Sequence, residues 1–248
     1  MSVAIIIGFQ YTSNDLMCYT DNSIPKDKYY LPAVRKDIIT VYNYCKKKNY
    51  SKILVVTDIV CDSRSKTDEG RLIQTLTKNG EYYPYKNKQE LFNLIAQNYN
   101  HQRILFYFTG HGKPGKFILP DGLIMQNEFN FLLVNKTDFI RDIMVILDCC
   151  NGDSPLPFVF VPGEKTSFYR YNNSRFHTND RVICMTSCTN NQIAMTTFNG
   201  SLFTRSLFDA LEKETSILTI YRRVMDFCTL YYEQKMMIYS SQPNMFNI

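Results

Sequence analysis

Two short apolar runs, each ending in glycine and reactive side chains, constrain the fold of this chain most. The first reads ILFYFTGHG and begins at Ile104, and the second reads VILDCCNGD and begins at Val145. Short apolar runs bounded by glycine and polar residues are typical of buried strands in parallel sheets. Ligands bind in open α/β sheets just beyond the carboxyl ends of such strands. We therefore expect both runs to deliver their polar residues to one rim of one sheet.

Strand and helix patterns alternate along the rest of the chain. Further strands are predicted at Val3–Phe9, Lys52–Thr57, Val182–Met185 and Met236–Tyr239. Helices are predicted over Leu31–Tyr50, Thr67–Lys78, Lys86–Asn98, Gln126–Ile140, Ser201–Glu212 and Ser216–Glu233. The segment 151–180 contains no clear element, which is typical of a functional or mobile loop. This alternation predicts an α/β fold with a mostly parallel central sheet of about six strands and helices on both faces.

Composition excludes several classes of protein. The net charge of +5 is scattered, and its main run, Lys46–Lys48, is typical of a helix C-terminus, so we expect no nucleic-acid partner. No stretch approaches the roughly 18 apolar residues of a membrane span, so we expect no membrane partner. The 8 cysteines are unevenly spaced, unlike a secreted disulfide framework, and no signal peptide is apparent. We expect a cytoplasmic protein.

His111 and Cys150 are the candidate catalytic residues. Each lies just beyond an apolar run and close to a glycine, which allows backbone N–H groups to point into a cleft. An imidazole beside a thiol is the arrangement that nucleophilic catalysis needs. The alternative is a turn histidine near an inert core cysteine, since free cysteines are often core residues.

Two other kinds of site have weaker patterns. The segment Gly110–Lys116 (GHGKPGK) matches the phosphate-binding pattern GxxxxGK, but Phe117 replaces the Ser or Thr that binds Mg²⁺. A zinc site would require the cysteines at 149, 150, 184 and 188, but neither pair has CxxC spacing. We therefore expect no metal site, and a nucleotide-binding switch is retained only as a minor alternative.

Five motifs in order resemble those of the caspase/metacaspase superfamily of cysteine peptidases, and the metacaspase branch more closely. They are Phe106–Gly112 (FYFTGHG), Ile146–Gly152 (ILDCCNG), Thr186–Ala194 (TSCTNNQIA), Gly200–Leu211 (GSLFTRSLFDAL) and the dipeptide Gln242-Pro243. The resemblance implies one caspase-like peptidase domain over residues 1–248. Within it, residues 1–150 would correspond to the large subunit, 151–180 to the intersubunit loop and 181–248 to the small subunit.

The resemblance also implies the role of each catalytic residue. His111 would be the general base and Cys150 the nucleophile of a dyad that cleaves peptide bonds through a thioester. The backbone N–H groups of Gly112 and Cys150 would form the oxyanion hole. Cys149 takes the preceding position, where the family accepts several small residues.

Substrate preference depends on the charge of the S1 pocket. Caspases cut after Asp through an Arg-lined pocket, and one residue of that pocket corresponds here to Asp148. The metacaspase pattern in the first helix is retained here at Leu31 and Asp37, and Thr109 stands where that branch usually has Ser. Asp37, Thr109 and Asp148 would form an acidic pocket, so the expected substrates are proteins or peptides with Arg or Lys at P1. The alternative for Asp37 is a solvated helix carboxylate.

The sequence departs from the metacaspase pattern in ways that affect regulation. Only Asp121 and Glu128 lie where many metacaspases carry their calcium-binding acidic residues, so we expect no cofactor and no calcium requirement. Asn151-Gly152 replaces the usual His-Ser-Gly after the nucleophile. These changes leave open a catalytically silent homologue that acts as a decoy or regulator of other peptidases.

The loop 151–180 lies where caspases are cut into subunits. Lys165, Arg170 and Arg175 are candidate self-cleavage sites if the S1 pocket is acidic. The alternative is an uncut surface loop. The resemblance allows either a monomer, as in metacaspases, or a homodimer formed through a strand near the C-terminus, as in caspases.

Overall fold

Among the residues that the structure describes, the central sheet contains nine strands and joins elements from both ends of the chain. The structure is a computed structural model that describes residues 1–12, 29–60, 66–98, 100–133, 139–152, 160–162, 168–170, 178–189, 191–231 and 234–242. The sheet strands are β1 (Ser2–Gly8), β2 (Lys52–Thr57), β3 (Tyr82–Pro84), β4 (Arg103–Thr109), β8 (Asp142–Asp148), β9 (Phe160–Pro162), β10 (Phe168–Arg170), β11 (Arg181–Thr186) and β14 (Met237–Ser240). Their order across the sheet is β10-β9-β14-β11-β8-β4-β1-β2-β3.

Six of these strands are parallel, from β11 through β8, β4, β1 and β2 to β3. Strand β14 pairs antiparallel with β11, and the short strands β9 and β10 continue the sheet beyond it. The predicted mostly parallel sheet of about six strands is confirmed. The two catalytic candidates follow β4 and β8, which lie in the interior of the sheet with a strand on each side.

In the described part of the chain, five short strands lie outside the central sheet. Strands β5 (Gly112–Lys113), β6 (Lys116–Leu119) and β7 (Gly122–Met125) form one small sheet, and β12 (Thr196–Thr197) pairs with β13 (Gly200–Ser201). Strands β6 and β7 form an antiparallel hairpin around Pro120-Asp121-Gly122.

Two hydrophobic cores cover the two faces of the sheet because strand side chains alternate in direction. In β1, Ala4 and Ile6 enter one core, whereas Ile5 and Ile7 enter the other. The first core also contains side chains of α1 (Val34–Lys47), α2 (Asp68–Lys78), α5 (Leu202–Lys213) and α6 (Ile217–Tyr231). The second contains side chains of α3 (Lys88–Gln97) and α4 (Gln126–Leu133). Helices therefore cover both faces, as predicted.

Three predicted segments differ from the structure. The helix predicted over 126–140 is described as Gln126–Leu133; residues 134–138 lie outside the described residues, and Ile140 is not helical. The edge strand β3 was missed because its sequence, YYP, lacks an apolar run and contains proline. The segment 151–180 contains β9 and β10, whose three residues each are too few to form a pattern. Within the described residues, no helix is both long enough and apolar enough to cross a bilayer.

A buried ion pair joins the chain just before β8 to the chain just before β11. Arg141 is fully buried, and its guanidinium contacts the carboxylate of Asp180, which is also buried. Asp180 Oδ1 accepts from both Arg141 Nε at 3.1 Å and Arg141 N at 3.0 Å. The end of the long loop that follows Cys150 is therefore fixed to the N-terminal side of the sheet.

We expect Asp180→Ala to lower the free energy of unfolding by about 3–5 kcal/mol, because it leaves a buried guanidinium without its charge partner. Asp142→Ala is the matched control, since Asp142 pairs with Arg181 nearby but both side chains are about half exposed. An exposed pair contributes at most about 1 kcal/mol. Chemical denaturation of both variants measures the difference, and equal losses would contradict a specific role for the buried pair.

Candidate active site

His111 and Cys150 lie beyond the ends of two paired strands. Strands β4 and β8 are parallel, and Thr109 pairs in register with Asp148. His111 lies two residues after Thr109, and Cys150 lies two residues after Asp148. The loops that carry them touch: a Cβ added to Gly112 would lie 2.3 Å from the Cys150 carbonyl oxygen and 2.8 Å from Cys149 Sγ. Only glycine fits this approach, and the two loops meet at one rim as predicted.

A backbone carbonyl orients the imidazole of His111. Its Nε2 lies 2.8 Å from the carbonyl oxygen of Tyr29. Because a carbonyl can only accept, Nε2 carries a proton, and in the neutral ring Nδ1 is the basic atom. Burial lowers the pKa of His111, and the bond to Tyr29 partly opposes this shift. The resting imidazole is therefore neutral at physiological pH.

The thiol of Cys150 is half-buried and also neutral at rest. Burial raises its pKa, while a hydrogen bond from the backbone N–H of Ala194 partly opposes the shift. The adjacent Cys149 is 2% exposed, and burial raises its pKa well above the usual range. Of these two neighbouring thiols, only Cys150 is accessible to a substrate. The directions of these pKa shifts favour a neutral imidazole at His111 and a neutral thiol at Cys150.

Asn151 connects three loops around the nucleophile. Its backbone has φ 53°, a left-handed conformation that asparagine tolerates better than most residues. Its Oδ1 accepts from the N–H of Asn191 at 3.0 Å, and its own N–H donates to the carbonyl oxygen of Gln192 at 3.0 Å. Its Nδ2 lies 3.5 Å from the carbonyl oxygen of Gly112. The side chain therefore holds the turn after Cys150 against the loops on either side.

The N–H of Gly112 points away from the small β5–β6 hairpin. The N–H of Ile118 donates to the carbonyl oxygen of His111 at 3.0 Å, and hydrogen-bonded pairs alternate with non-bonded pairs along an antiparallel ladder. Gly112 pairs with Phe117 one position further along, so its peptide groups face away from β6. This N–H is therefore free of the ladder on the side where the Cys150 loop approaches.

Asp37 and Asp148 lie together at the start of α5. Asp37 Oδ1 accepts from the N–H of Ser201 at 2.8 Å, and Asp148 Oδ2 accepts from Thr204 Oγ1 at 2.6 Å. Thr109, the in-register neighbour of Asp148, is buried on the same face of the sheet. The three predicted S1 residues are thus in one region. Asp37 is only 1% exposed, so its interpretation as a solvated helix carboxylate is wrong.

Burial and mutual repulsion dominate the environment of these carboxyl groups, although the charge of Arg205 partly opposes the rise in the pKa of Asp37. Burial raises the pKa of both, and the charge of Asp148 raises that of Asp37 further. Within the part of the chain that the structure describes, Asp37 Oδ2 has no hydrogen-bond partner. Gly200, at φ 106°, leaves room for this arrangement, because a Cβ there would lie 2.6 Å from Asp37 Oδ1. The cluster is a buried acidic site that a cationic group would stabilise.

The remaining candidates are placed only in part. Arg170 ends β10, whereas Lys165 and Arg175 lie outside the described residues. The GHGKPGK segment forms the β5–β6 turn and no helix follows it, so it lacks the helix N-terminus on which a phosphate loop depends. Among the described side chains, no three His, Cys, Asp or Glu residues are grouped as metal ligands.

Sequence reasoning missed Tyr29, Ala194 and Asn151. Tyr29 and Ala194 act through backbone atoms, which leave no trace in side-chain chemistry. Asn151 had one usable signal, since an asparagine directly after a turn cysteine is compatible with a left-handed backbone.

Comparisons with known proteins agree with this architecture. The sequence profile of the caspase-domain family, Peptidase_C14, matches residues 60–246. The fold is similar to caspase-1 from Spodoptera frugiperda, with a TM-score of 0.60 and 14% identity over 97% of this chain and 86% of that one. It is also similar to protein GSU0716 from Geobacter sulfurreducens, with a TM-score of 0.66 and 9% identity over 100% of this chain and 97% of that one. No curated protein sequence matches significantly.

At these identities the structural comparisons establish the fold alone, and they confirm the predicted caspase-like architecture. The family match adds membership, because it spans well over half of the chain and includes both candidate catalytic residues. This chain belongs to the caspase-domain family of cysteine peptidases.

Proposed function

We propose that this chain is a cysteine endopeptidase of the metacaspase kind that cleaves after Arg or Lys, with Cys150 as nucleophile and His111 as general base. The proposal rests mainly on the positions of these two residues. Thr109 and Asp148 pair in register at the ends of the interior strands β4 and β8, and His111 and Cys150 each lie two residues further along. The fixed tautomer of His111 supports it, because Nδ1 is left free to accept a proton while Nε2 donates to Tyr29.

The neutral resting pair determines the order of proton transfers. His111 Nδ1 takes the thiol proton as Cys150 Sγ attacks the scissile carbonyl carbon. The N–H groups of Gly112 and Cys150 stabilise the oxyanion. His111 then gives the proton to the leaving amine, the C–N bond breaks, and a thioester remains. His111 deprotonates the water that hydrolyses this thioester, and the thiol is restored.

Preference for a basic P1 residue rests on the acidic site. A substrate guanidinium or ammonium would supply the donor that Asp37 Oδ2 lacks and would neutralise the repulsion between Asp37 and Asp148. An Asp at P1 would bring a third negative charge to the same site. The hydroxyl of Thr109, on the same face, belongs to this proposed pocket.

The proposal includes catalysis without calcium. Lys88 Nζ already donates hydrogen bonds to both carboxylate oxygens of Glu128, at 2.7 and 2.8 Å. Asp121 accepts from the N–H of Lys88 and from the hydroxyl of Tyr85. The ammonium group of Lys88 therefore supplies positive charge to Glu128, whereas the oxygens of Asp121 are already bound by a backbone N–H and a hydroxyl.

Hydrolysis of matched fluorogenic peptides ending in Arg, Lys or Asp tests the function directly. We expect turnover after Arg or Lys, equal in calcium and in EGTA, and labelling of Cys150 by a basic peptide ketone. Preference for Asp would refute the acidic pocket but not the dyad. Folded protein that neither turns over peptides nor reacts with the ketone would instead support the catalytically silent decoy or regulator.

We also propose that the uncut chain is a monomer and that it cuts its own 151–180 loop. Strand β9 lies next to β14 in the sheet, with Phe160 paired to Ser240, and so occupies part of the edge that a second copy would need for sheet pairing. Arg170 is paired with Phe160 in a ladder, so cleavage there would first require the β9–β10 pair to open.

Intact-mass analysis and sedimentation of wild-type and Cys150→Ala protein test both statements. Fragments ending at Lys165 or Arg175 are expected in the wild type only, and both preparations are expected to sediment as monomers before cleavage. The same fragments in Cys150→Ala would contradict self-cleavage. An uncut dimer would contradict the proposal that β9 prevents a second copy from pairing with β14.

A further inference from the structure

Tyr11 contacts His111 through both its hydroxyl and its ring. The hydroxyl accepts from the backbone N–H of His111 at 2.7 Å and donates to the carbonyl oxygen of Ile118 at 2.8 Å. The ring lies against the imidazole, with centroids 4.6 Å apart and planes inclined by 36°. Tyr11 is 4% exposed, so these contacts are made away from water. One side chain therefore fixes both the main chain and the ring plane of the proposed base.

The backbone of Tyr11 is held in an unusual conformation. Its φ is 59°, in the left-handed region that residues with a Cβ rarely adopt. The carboxylate of Asp58 accepts from three consecutive N–H groups, those of Gln10 at 2.8 Å, Tyr11 at 2.6 Å and Thr12 at 3.2 Å. Backbone strain of this kind persists only where the surroundings over-determine it, and it clusters at functional sites.

The carboxyl end of β2 is thereby connected to the base. Asp58 follows β2 directly and holds the turn after β1, and Tyr11 in that turn reaches His111 after β4. These three strands are neighbours in the sheet, so each link is short. The proposed chemistry uses neither Tyr11 nor Asp58.

We propose that Tyr11 is a positioning residue for His111 and that Asp58 acts through it. The inference rests on the proposed role of His111 as the base. Tyr11 keeps the imidazole at the angle where Nε2 donates to the Tyr29 carbonyl, which leaves Nδ1 as the atom that accepts a proton. Small displacements of a catalytic group are costly, since about 1 Å can reduce the rate about 100-fold.

Tyr11→Phe removes the hydroxyl while keeping the ring, and Tyr42→Phe is the matched control. The Tyr42 hydroxyl also makes two hydrogen bonds, to Glu81 and Asn79, but it lies on α1 away from the rim. We expect Tyr11→Phe to lower kcat at least about ten-fold with KM within about two-fold, and Tyr42→Phe to leave both unchanged. The shift in melting temperature is expected to be similar for both variants.

Asp58→Asn tests the second link. It is also expected to lower kcat. The kcat of the double variant is expected to be no lower than that of the more impaired single variant, because both substitutions disturb the same contact between Tyr11 and His111. Full additivity of the two losses would refute the action of Asp58 through Tyr11. A Tyr11→Phe kcat within about two-fold of wild type, a loss confined to KM, or an equal loss in Tyr42→Phe would refute positioning by Tyr11.

Nitrogen NMR of the His111 ring in Cys150→Ala protein gives a readout that does not depend on activity. With Tyr11 present, we expect the spectrum of a single neutral tautomer protonated at Nε2. In Tyr11→Phe we expect exchange between the two tautomers. A tautomer unchanged by the substitution would refute the inference even if the wild-type protein hydrolysed no peptide. Peptide hydrolysis abolished by Cys150→Ala but unaffected by Tyr11→Phe would refute the inference and leave the proposed function intact.

Discussion

Cys150→Ala is expected to abolish peptide hydrolysis, whereas Cys149→Ala is expected to retain it. Loss of a nucleophile or of its base costs up to about 10⁶-fold in kcat in enzymes that act through such a pair. The two cysteines are adjacent, but only Cys150 is accessible, so the substitutions separate the chemistry from the packing. His111→Ala is expected to cost as much as Cys150→Ala, and the double variant no more than either. Peptide hydrolysis lost in Cys149→Ala but kept in Cys150→Ala would reverse the assignment.

The neutral resting pair predicts how the thiol of the free enzyme responds to pH. Because burial raises the pKa of Cys150, the thiolate fraction grows only as pH rises above the usual thiol range. Alkylation of Cys150 by iodoacetamide, followed by mass spectrometry of its peptide, is expected to accelerate into the alkaline range. A plateau already reached below neutral pH would indicate a preformed thiolate and would contradict the general-base mechanism.

Asp37→Asn is expected to remove the preference for Arg and Lys while making the protein more stable at neutral pH. Loss of one partner of a buried charge pair costs about 2–5 kcal/mol, which is between about 30-fold and about 5,000-fold in kcat/KM for a basic peptide. A neutral asparagine keeps the acceptor for the Ser201 N–H and removes the repulsion with Asp148. The same change therefore weakens binding of a basic P1 side chain and relieves the repulsion between the two carboxylates.

The sign of the stability effect follows from the raised pKa of Asp37. The native state binds this proton more tightly than the unfolded state, so wild-type stability falls as pH rises from the ordinary carboxyl pKa to the raised one. Asp37→Asn is expected to abolish that fall. Its advantage in unfolding free energy should be largest at neutral pH and should disappear below about pH 4.

Asp209→Asn is the control for both measurements, because Asp209 is exposed on α5 and paired with Lys213. It is expected to change neither kcat/KM nor the pH dependence of unfolding. An Asp37→Asn variant that loses activity equally toward basic and neutral P1 peptides would place Asp37 outside the specificity pocket. A variant less stable than wild type at neutral pH would contradict the repulsion.

The contact between the loops that carry His111 and Cys150 was predictable because parallel strands end at a common edge, and a short apolar run before each residue identified the strands. The burial of Asp37 was also within reach of the sequence. It follows Val34 by three residues and precedes Val41 by four, so helical periodicity puts it on the buried face of α1. A carboxylate on an apolar helix face indicates a functional site more strongly than a solvated one.

Other features could not have been predicted from residue patterns. The Tyr29 carbonyl could belong to any residue type, so the sequence carries no record of its contact with His111. The strands β9 and β10 exist only through pairing with each other and with β14, since three residues supply no periodicity of their own. Tyr11 precedes His111 by 100 positions, and only the sheet order brings them together.

The direct pairing of β8 with β11 means that the contact between these two strands does not depend on an unbroken chain between them. Six registered pairs join these strands, from Arg181 opposite Asp142 to Thr186 opposite Leu147, and the Arg141–Asp180 contact lies just before them. A cut in the intervening loop would turn a tethered contact into the association of two separate polypeptides. The tether supplies only an effective concentration, which falls slowly as a loop lengthens. Once the sheet has formed, the two pieces would stay bound as a heterodimer, with both proposed catalytic residues carried by the N-terminal one.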